Sequence, residues 1–146
     1  MADFCLYIPP LSTIRTYREM VDFAAAHGIT KLETLNILDL STPDLEIAKD
    51  LKAYADSKSI SFPCVSVGID LVEEEQGVEI LKQYAQVAQI LGSPYLHHTI
   101  AKDFTVWDLS DREREDRFQR CLKAALDPAD SNYYFYALDP NSYPRE

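Results

Sequence analysis

A carboxylate and two adjacent histidines lie near the ends of two strand-like segments of this chain. Glu33 is near the end of Ile29–Leu35, and His97 and His98 are near the end of Pro94–Ile100. Carboxyl and imidazole groups are common acids and bases in enzymatic proton transfer. Ligands of open α/β sheets bind at the edge where the carboxyl ends of the strands gather. We therefore predict that Glu33 and one of the two histidines share a site at this edge.

These side chains also have structural interpretations. Lys31 lies two residues before Glu33 and on the same face of an extended strand, so an ion pair between them is an alternative to a site. His97 and His98 point to opposite faces of their strand, so only one of them faces the site. The other is expected to be a hydrogen-bonded core histidine, and the sequence does not decide which one it is.

Three further candidates follow the predicted strands in loops. Asn36 follows the second strand, Asp70 the third and Trp107 the fourth. Each is placed to contact a bound ligand, and Asn36 and Trp107 are taken as candidate binding residues. The structural alternatives are turn formation for Asn36, a solvated loop charge for Asp70 and packing on the next helix for Trp107.

The elements that must position these residues alternate along the chain. Strand-like segments are predicted at Phe4–Ile8, Ile29–Leu35, Ile60–Val67 and Pro94–Ile100, and helices at Thr13–His27, Pro43–Ser57, Gln76–Leu91 and Asp111–Leu126. Such alternation predicts an α/β fold in which helices pack on a parallel sheet. Four (β/α) units make half of a TIM-type barrel, which typically needs about 250 residues. We predict a half-barrel domain over residues 1–126 and an atypical tail over 127–146, with one short strand at Tyr133–Leu138.

Local signals suggest where some elements begin and end. Gly28 suits a left-handed helix terminus, and Pro63 predicts a bulge or the beginning of its strand. The predicted helix caps are Ser12 or Thr13 for the first helix, Ser41 or Thr42 with Pro43 in the first turn for the second, and a Ser110–Glu113 capping box for the fourth.

Composition excludes several classes of protein. A hydrophobic content of 47% with 26% charged residues is ordinary for a globular domain. The formal net charge of -10 argues against a nucleic-acid partner, since a phosphate backbone favours a basic surface. We find neither a signal-peptide pattern nor an apolar stretch of about 18 residues, so we predict a cytoplasmic protein with no membrane partner. The cysteines, Cys5, Cys64 and Cys121, are expected to be buried thiols without a metal or redox role.

Two segments carry a family resemblance. FAAAHGITKLE (Phe23–Glu33) is similar to the helix, glycine and Glu-terminated strand of the sugar phosphate isomerase/epimerase proteins, which are xylose isomerase-like barrels. AQILGSPYLHHTI (Ala88–Ile100) resembles the fourth unit of those proteins. The resemblance extends from Phe4 to Leu126 and corresponds to the N-terminal half of such a barrel.

The resemblance implies a function. It implies a small sugar or sugar phosphate as substrate and proton transfer next to a carbonyl. From their positions at strand ends and in the loops that follow, we take Glu33 as the candidate catalytic residue and His97, His98, Asn36 and Trp107 as candidate substrate contacts. The resemblance also implies a divalent metal, but the family's metal ligands lie in the C-terminal half, and none can be assigned to a residue of this chain. We therefore expect a truncated, catalytically incomplete form with no isomerase activity of its own.

Two alternatives and an oligomeric state complete the expectations. The chain is alternatively a non-catalytic half-barrel that binds or self-assembles, or the product of an altered reading frame. A homodimer is predicted, because strands one and four would present unpaired edges. The second reason for a homodimer is the sheet face without helices, which would expose Leu6, Ile29 and Val65 or their strand neighbours as an apolar patch.

Overall fold

The computed structural model describes residues 5–7, 13–35, 42–67 and 74–98, together with residues 110, 112, 113, 116, 117, 119, 120 and 123. The candidates Asn36, Asp70 and Trp107 lie outside the described residues, as do Cys121 and the predicted tail 127–146.

Strands and helices alternate through the described ranges. In chain order the elements are β1 (Leu6–Tyr7), α1 (Tyr17–Ala26), β2 (Lys31–Leu35), α2 (Leu45–Ser57), β3 (Ser61–Val67), α3 (Glu74–Leu91) and β4 (Tyr95–His98). The four strands form one sheet in the order β1-β2-β3-β4, and every neighbouring pair is parallel. The predicted α/β class is confirmed. Each strand pairs with the next one in sequence, which is the order expected of successive barrel units.

One face of the sheet packs against the helices. Leu32, Val65 and Leu96, from β2, β3 and β4, are almost completely buried. They join a hydrophobic core to which the helices contribute Met20, Val21, Ala24, Ala48, Leu51, Ala55, Leu81, Tyr84, Val87, Ala88 and Leu91. Burying one of the valine, leucine or methionine side chains of this core contributes about 1.5–3 kcal/mol. This shared core fixes which face of each strand points away from the helices.

A bulge near Pro63 determines which side chains of β3 point to each face of the sheet. Lys31 is opposite Ser61, but Glu33 is opposite Cys64, so three residue steps of β3 accompany two steps of β2. Phe62 and Val65 are three positions apart and would lie on opposite faces of a regular strand. Here both are in the core. The prediction of a bulge at Pro63 is therefore confirmed. The bulge decides the face to which the following side chains of β3 point.

The beginnings of α1 and α2 differ from the sequence expectations. Thr16, not Ser12 or Thr13, caps α1, because its side chain accepts from the N–H of Glu19 while the Glu19 carboxylate accepts from the N–H of Thr16. This reciprocal pair is a capping box, which neither earlier residue forms with a glutamate three positions on.

Asp44, not Ser41 or Thr42, caps α2. Its carboxylate accepts from the N–H groups of Glu46 and Ile47 at 2.9 and 3.0 Å. Pro43 therefore precedes the cap instead of occupying the first turn. The Asp44 carboxylate satisfies two orphan N–H groups, and its negative charge is favourable at the positive end of the helix.

Other local predictions are confirmed. Gly28 has φ 68°, in the left-handed region, and directs the chain from α1 towards β2. Ser110 and Glu113 form the predicted capping box, in which the Glu113 carboxylate accepts from Ser110 N–H at 3.0 Å. The described residues from 112 to 123 have helical backbone, which agrees with a fourth helix in this region.

Two further observations concern composition-based expectations. Cys5, which directly precedes the short strand β1, is exposed, so the prediction of a buried thiol is wrong for this residue. Among the described residues, no helix has the length and apolar character needed to cross a bilayer.

Candidate functional site

Six of the described side chains lie on the sheet face that points away from the helices. They occupy matching rows of the parallel register and are called the polar face: Tyr7, Glu33, Cys64, Ser66, Tyr95 and His97. Residues opposite one another in neighbouring strands share a face, and residues two apart in a strand share it too. The strand neighbours of the buried core residues therefore form a surface with several polar groups.

Ser66 connects the two main candidates of this face. Its hydroxyl donates a hydrogen bond to Glu33 Oε1 and lies 3.2 Å from His97 Nδ1. Ser66 is almost completely buried, with 1% of its surface exposed, whereas Glu33 and His97 are half-buried. The structure thus brings Glu33 and His97 together through one shared hydroxyl.

The register explains this arrangement. Ser66 is directly opposite Leu35 and His97, in the row next to the carboxyl end of the sheet. Glu33 lies two residues earlier on β2, opposite Cys64. Its longer side chain reaches diagonally towards the carboxyl end to meet Ser66, a diagonal contact that long side chains make across neighbouring strands. The pair therefore lies at the edge where ligands of parallel sheets bind.

Cys64 lies next to this connection. Its Sγ is 3.8 Å from Ser66 Oγ, and its side chain is half-buried. Burial raises the pKa of the Cys64 thiol above its ordinary value, and the nearby Glu33 charge raises it further. The neutral thiol is thus favoured, which argues against a nucleophilic thiolate at this position.

Two tyrosines flank the hydrogen-bonded groups. Tyr7 is opposite Glu33 on β1, and Tyr95 is opposite Cys64 on β4. Their side chains are 42% and 49% exposed. Burial and the Glu33 charge raise the pKa of Tyr7, so its phenol keeps its proton and remains a hydrogen-bond donor near neutral pH. The polar face therefore combines aromatic surface with donors and acceptors.

Comparison with models of known protein families finds no match for this chain, and comparison with curated proteins finds none either.

The order of groups differs from that of a hydrolytic triad. In such a triad a histidine lies between the serine and the carboxylate, and removes the serine proton. Here the serine lies between the carboxylate and the imidazole. Ser66 is also buried, so the geometry favours a role in holding Glu33 and His97 over a role as nucleophile.

The polar face does not provide a metal site by itself. Within the described part of the chain, no group of three or more His, Cys, Asp and Glu side chains has the geometry to hold a metal ion. Glu33 and His97 are metal-ligand types, but divalent ions in catalytic sites usually have three or more protein or substrate ligands. The divalent metal implied by the family resemblance therefore does not fit the described residues.

The remaining sequence candidates divide into two groups. His98 pairs with Val67 through its backbone. His97 is the histidine that contacts Ser66, and it is therefore the histidine assigned to the polar face. The candidate binding residues Asn36 and Trp107 lie outside the described residues.

Ser66 and Cys64 were not among the predicted site residues. Serine and cysteine are common within strands, so neither residue type indicates a site. The pattern C-V-S-V did carry a signal, because its small polar residues alternate with valines. Placing Ser66 beside His97 additionally requires the β3–β4 register, which only the fold provides.

Proposed function

We propose that the polar face binds a small sugar or sugar phosphate, and that the chain contributes a catalytically incomplete part of a site of the sugar phosphate isomerase/epimerase type. Glu33 is the proposed acid/base, and His97 is the proposed substrate contact. The observation that supports this most is the hydrogen-bonded connection Glu33–Ser66–His97 at the carboxyl end of a parallel sheet.

The proposed chemistry is proton transfer next to a carbonyl. The Glu33 carboxylate takes a proton from the carbon beside the carbonyl, and the electron pair of the broken C–H bond moves towards the carbonyl oxygen. The protonated Glu33 then delivers this proton to the former carbonyl carbon, which restores the carboxylate. The proton of the neighbouring hydroxyl passes to the former carbonyl oxygen, so the carbonyl and the hydroxyl exchange places. The Ser66 hydrogen bond orients the carboxylate before the reaction, and positioning of this kind lowers the barrier. No step is assigned to a metal, because the described residues do not fit one.

The half-exposed tyrosines support a sugar as ligand. The ring faces of sugars carry apolar C–H groups, whereas their edges carry hydroxyls. Tyr7 and Tyr95 offer apolar ring surface with a polar tip at the two ends of the register row that also contains Glu33 and Cys64. Small-molecule sites commonly combine aromatic surface with a few placed polar groups in this way.

Ligand titration followed by NMR tests this proposal. The chain is titrated with a panel of ketoses, aldoses and their phosphates, and amide shifts are followed in β2, β3 and β4. We expect shifts to concentrate at the carboxyl ends of these strands. Glu33→Gln should weaken binding at least about tenfold, because a hydrogen bond to a charged group contributes about 1.5–3 kcal/mol and each 1.4 kcal/mol changes the affinity about tenfold.

Glu46→Gln is the matched control. Glu46 is an exposed carboxylate in the first turn of α2, which packs on the other side of the sheet. Its replacement should leave the affinity unchanged. Saturable binding of a sugar that is equally tight in wild type and Glu33→Gln would contradict the role of Glu33. The absence of binding by the whole panel would contradict the proposed ligand class.

A second candidate function is a non-catalytic module that binds a partner or a second copy of itself. The exposure of Tyr7 and Tyr95 on one face favours it, since these rings are the large exposed apolar groups among the described residues of the polar face. Light scattering at micromolar concentration tests the self-assembly form of this second proposal. A mass of twice 16.6 kDa that falls to 16.6 kDa in Tyr95→Ser would support self-assembly, and a monomeric wild type would exclude it.

A further inference from the structure

The hydrogen bonds of Ser66 determine where its proton and that of His97 lie. A serine hydroxyl has one proton to donate and two lone pairs to accept with. An ionised carboxylate can only accept, so the proton of Ser66 points towards Glu33 Oε1. The Ser66 oxygen has no second proton for any other neighbour.

His97 must therefore be the donor in its contact with Ser66. Its Nδ1 lies 3.2 Å from Ser66 Oγ. An unprotonated Nδ1 would direct its lone pair at an oxygen that also presents lone pairs. A protonated Nδ1 instead forms a hydrogen bond, and the unused nitrogen of a neutral imidazole is then Nε2.

The Cys64 thiol completes the same arrangement. Its Sγ is 3.8 Å from Ser66 Oγ, and the proton of Ser66 is already used, so the thiol is the weak donor of that pair. Ser66 then donates once and accepts twice. This full use of its hydrogen-bonding capacity agrees with a polar side chain of which only 1% is exposed.

We infer that Ser66 is a positioning residue that fixes neutral His97 in the tautomer with its proton on Nδ1, so that the second ring nitrogen, Nε2, is an acceptor. A ligand hydroxyl can then donate to Nε2. The tautomer of His97 follows from the hydrogen-bond geometry alone. Only the role of Nε2 towards a substrate rests on the proposed function. In the proposed reaction, His97 is accordingly an acceptor for a substrate hydroxyl and not a neutral hydrogen-bond donor to the carbonyl.

NMR of the ligand-free chain labelled with ¹⁵N in its histidines tests the assignment. Long-range ¹H–¹⁵N correlations distinguish protonated from unprotonated ring nitrogens. The measurement is made at about pH 8, above the ordinary histidine pKa of about 6.5. We expect the Nδ1–H form of His97 to outnumber the Nε2–H form about five- to tenfold, the ratio that a hydrogen bond of ordinary net strength produces.

The chain provides an internal reference for this spectrum. His27 Nδ1 lies 2.8 Å from the carbonyl oxygen of Phe23. Because a carbonyl can only accept, neutral His27 must carry its proton on Nδ1 as well. The pattern of His27 therefore shows how the expected tautomer looks in this protein. Comparison with His97→Asn identifies the His97 signals.

Three serine variants separate positioning from a merely structural role. Ser66→Ala removes the acceptor and should reduce the tautomer ratio of His97 at least threefold. Ser66→Thr keeps a hydroxyl and should retain the Nδ1–H form. Ser61→Ala is the control at the beginning of the same strand, where the hydroxyl donates to Thr30 O, and it should leave His97 unchanged.

Two results would overturn the inference: a predominant Nε2–H tautomer of His97 in the wild type, or an unchanged ratio in folded Ser66→Ala. If Ser66→Ala does not fold, the wild-type spectrum alone still decides. Failure of the proposed function remains distinguishable, because the tautomer is measured without ligand. An Nδ1–H tautomer with no sugar binding would contradict the ligand proposal and leave the inference intact.

Discussion

Replacing Ser66 by alanine should lower the free energy of unfolding markedly, although it removes a single oxygen atom. The change removes one oxygen atom from a side chain that is 1% exposed. It also removes the hydrogen-bond donor of Glu33 and the acceptor of His97. Hydrogen bonds to charged groups contribute about 1.5–3 kcal/mol, and groups left unpaired in a partly buried place are costly. Because Glu33 is half-buried and can recover some hydration, we expect a loss near the lower value, about 1.5 kcal/mol.

Urea unfolding followed by circular dichroism measures this loss. A decrease of about 1.5 kcal/mol corresponds to a fall in melting temperature of roughly 3–6 °C for a chain of this size. Ser61→Ala is the matched control, because Ser61 is exposed and its hydroxyl contacts Thr30 O at 3.3 Å. Exposed substitutions of this kind usually change stability by less than about 0.5 kcal/mol.

A double-mutant cycle assigns the loss to the Glu33 contact. If Ser66 acts through Glu33, Ser66→Ala should cost less in a Glu33→Ala background than in the wild type. We expect a coupling energy of about 1 kcal/mol, within the range measured for residues in direct contact. Additive effects of the two substitutions, or equal losses in Ser66→Ala and Ser61→Ala, would refute the reasoning.

Two further predictions concern helix α1 and the Cys64 thiol. Thr16→Ala should lower the free energy of unfolding by about 1 kcal/mol through loss of the α1 cap, whereas Thr16→Ser should retain most of it and Thr13→Ala, at the cap predicted from sequence, should change little. The raised pKa of Cys64 means that the folded state holds the thiol proton more tightly than the unfolded state. The stability that this protonated thiol contributes is therefore complete below the unfolded thiol pKa. It is lost as pH rises towards the folded thiol pKa. The free energy of unfolding is measured between about pH 7.5 and pH 10, around the ordinary thiol pKa of about 8.5. It should fall more steeply with pH in the wild type than in Cys64→Ala. Parallel pH dependences of the two proteins would contradict this.

The strand and helix pattern was predictable because the core residues recur at the right periods. The apolar stripe of α3, including Leu81, Tyr84 and Val87, has helical spacing, and these residues are buried in the core. Helix beginnings were less predictable, because several residues able to cap lie close together before α1 and α2. The choice among them depends on which side chain meets two free N–H groups, as Asp44 does. That geometry depends on where the helix begins, which packing helps to decide.

The pairing of Glu33 with His97 was partly predictable. Their positions near strand ends and the alternation of side chains limited the choice to one of two histidines. The decision for His97 depends on the phase of β3 and the β3–β4 register, and thus on the bulge at Pro63. Ser66 was missed for the same reason. A buried serine acquires a role only when its neighbours across two strand pairs are known.

The composition of the polar face changes the physical basis of the predicted dimer. The sequence left open whether Leu6, Ile29 and Val65 or their strand neighbours lie on the face without helices. Val65 is in the core, and Leu6 and Ile29 pack against that core, so the strand neighbours form the other face. Those neighbours include the half-buried carboxylate of Glu33 and imidazole of His97, whose burial against a second copy would require replacement of their remaining hydration. Hydrophobic attraction between two such faces would thus depend mainly on Tyr7 and Tyr95. The polar face is better suited to a small ligand with hydroxyl groups, which can satisfy these donors and acceptors, than to a dry interface between copies.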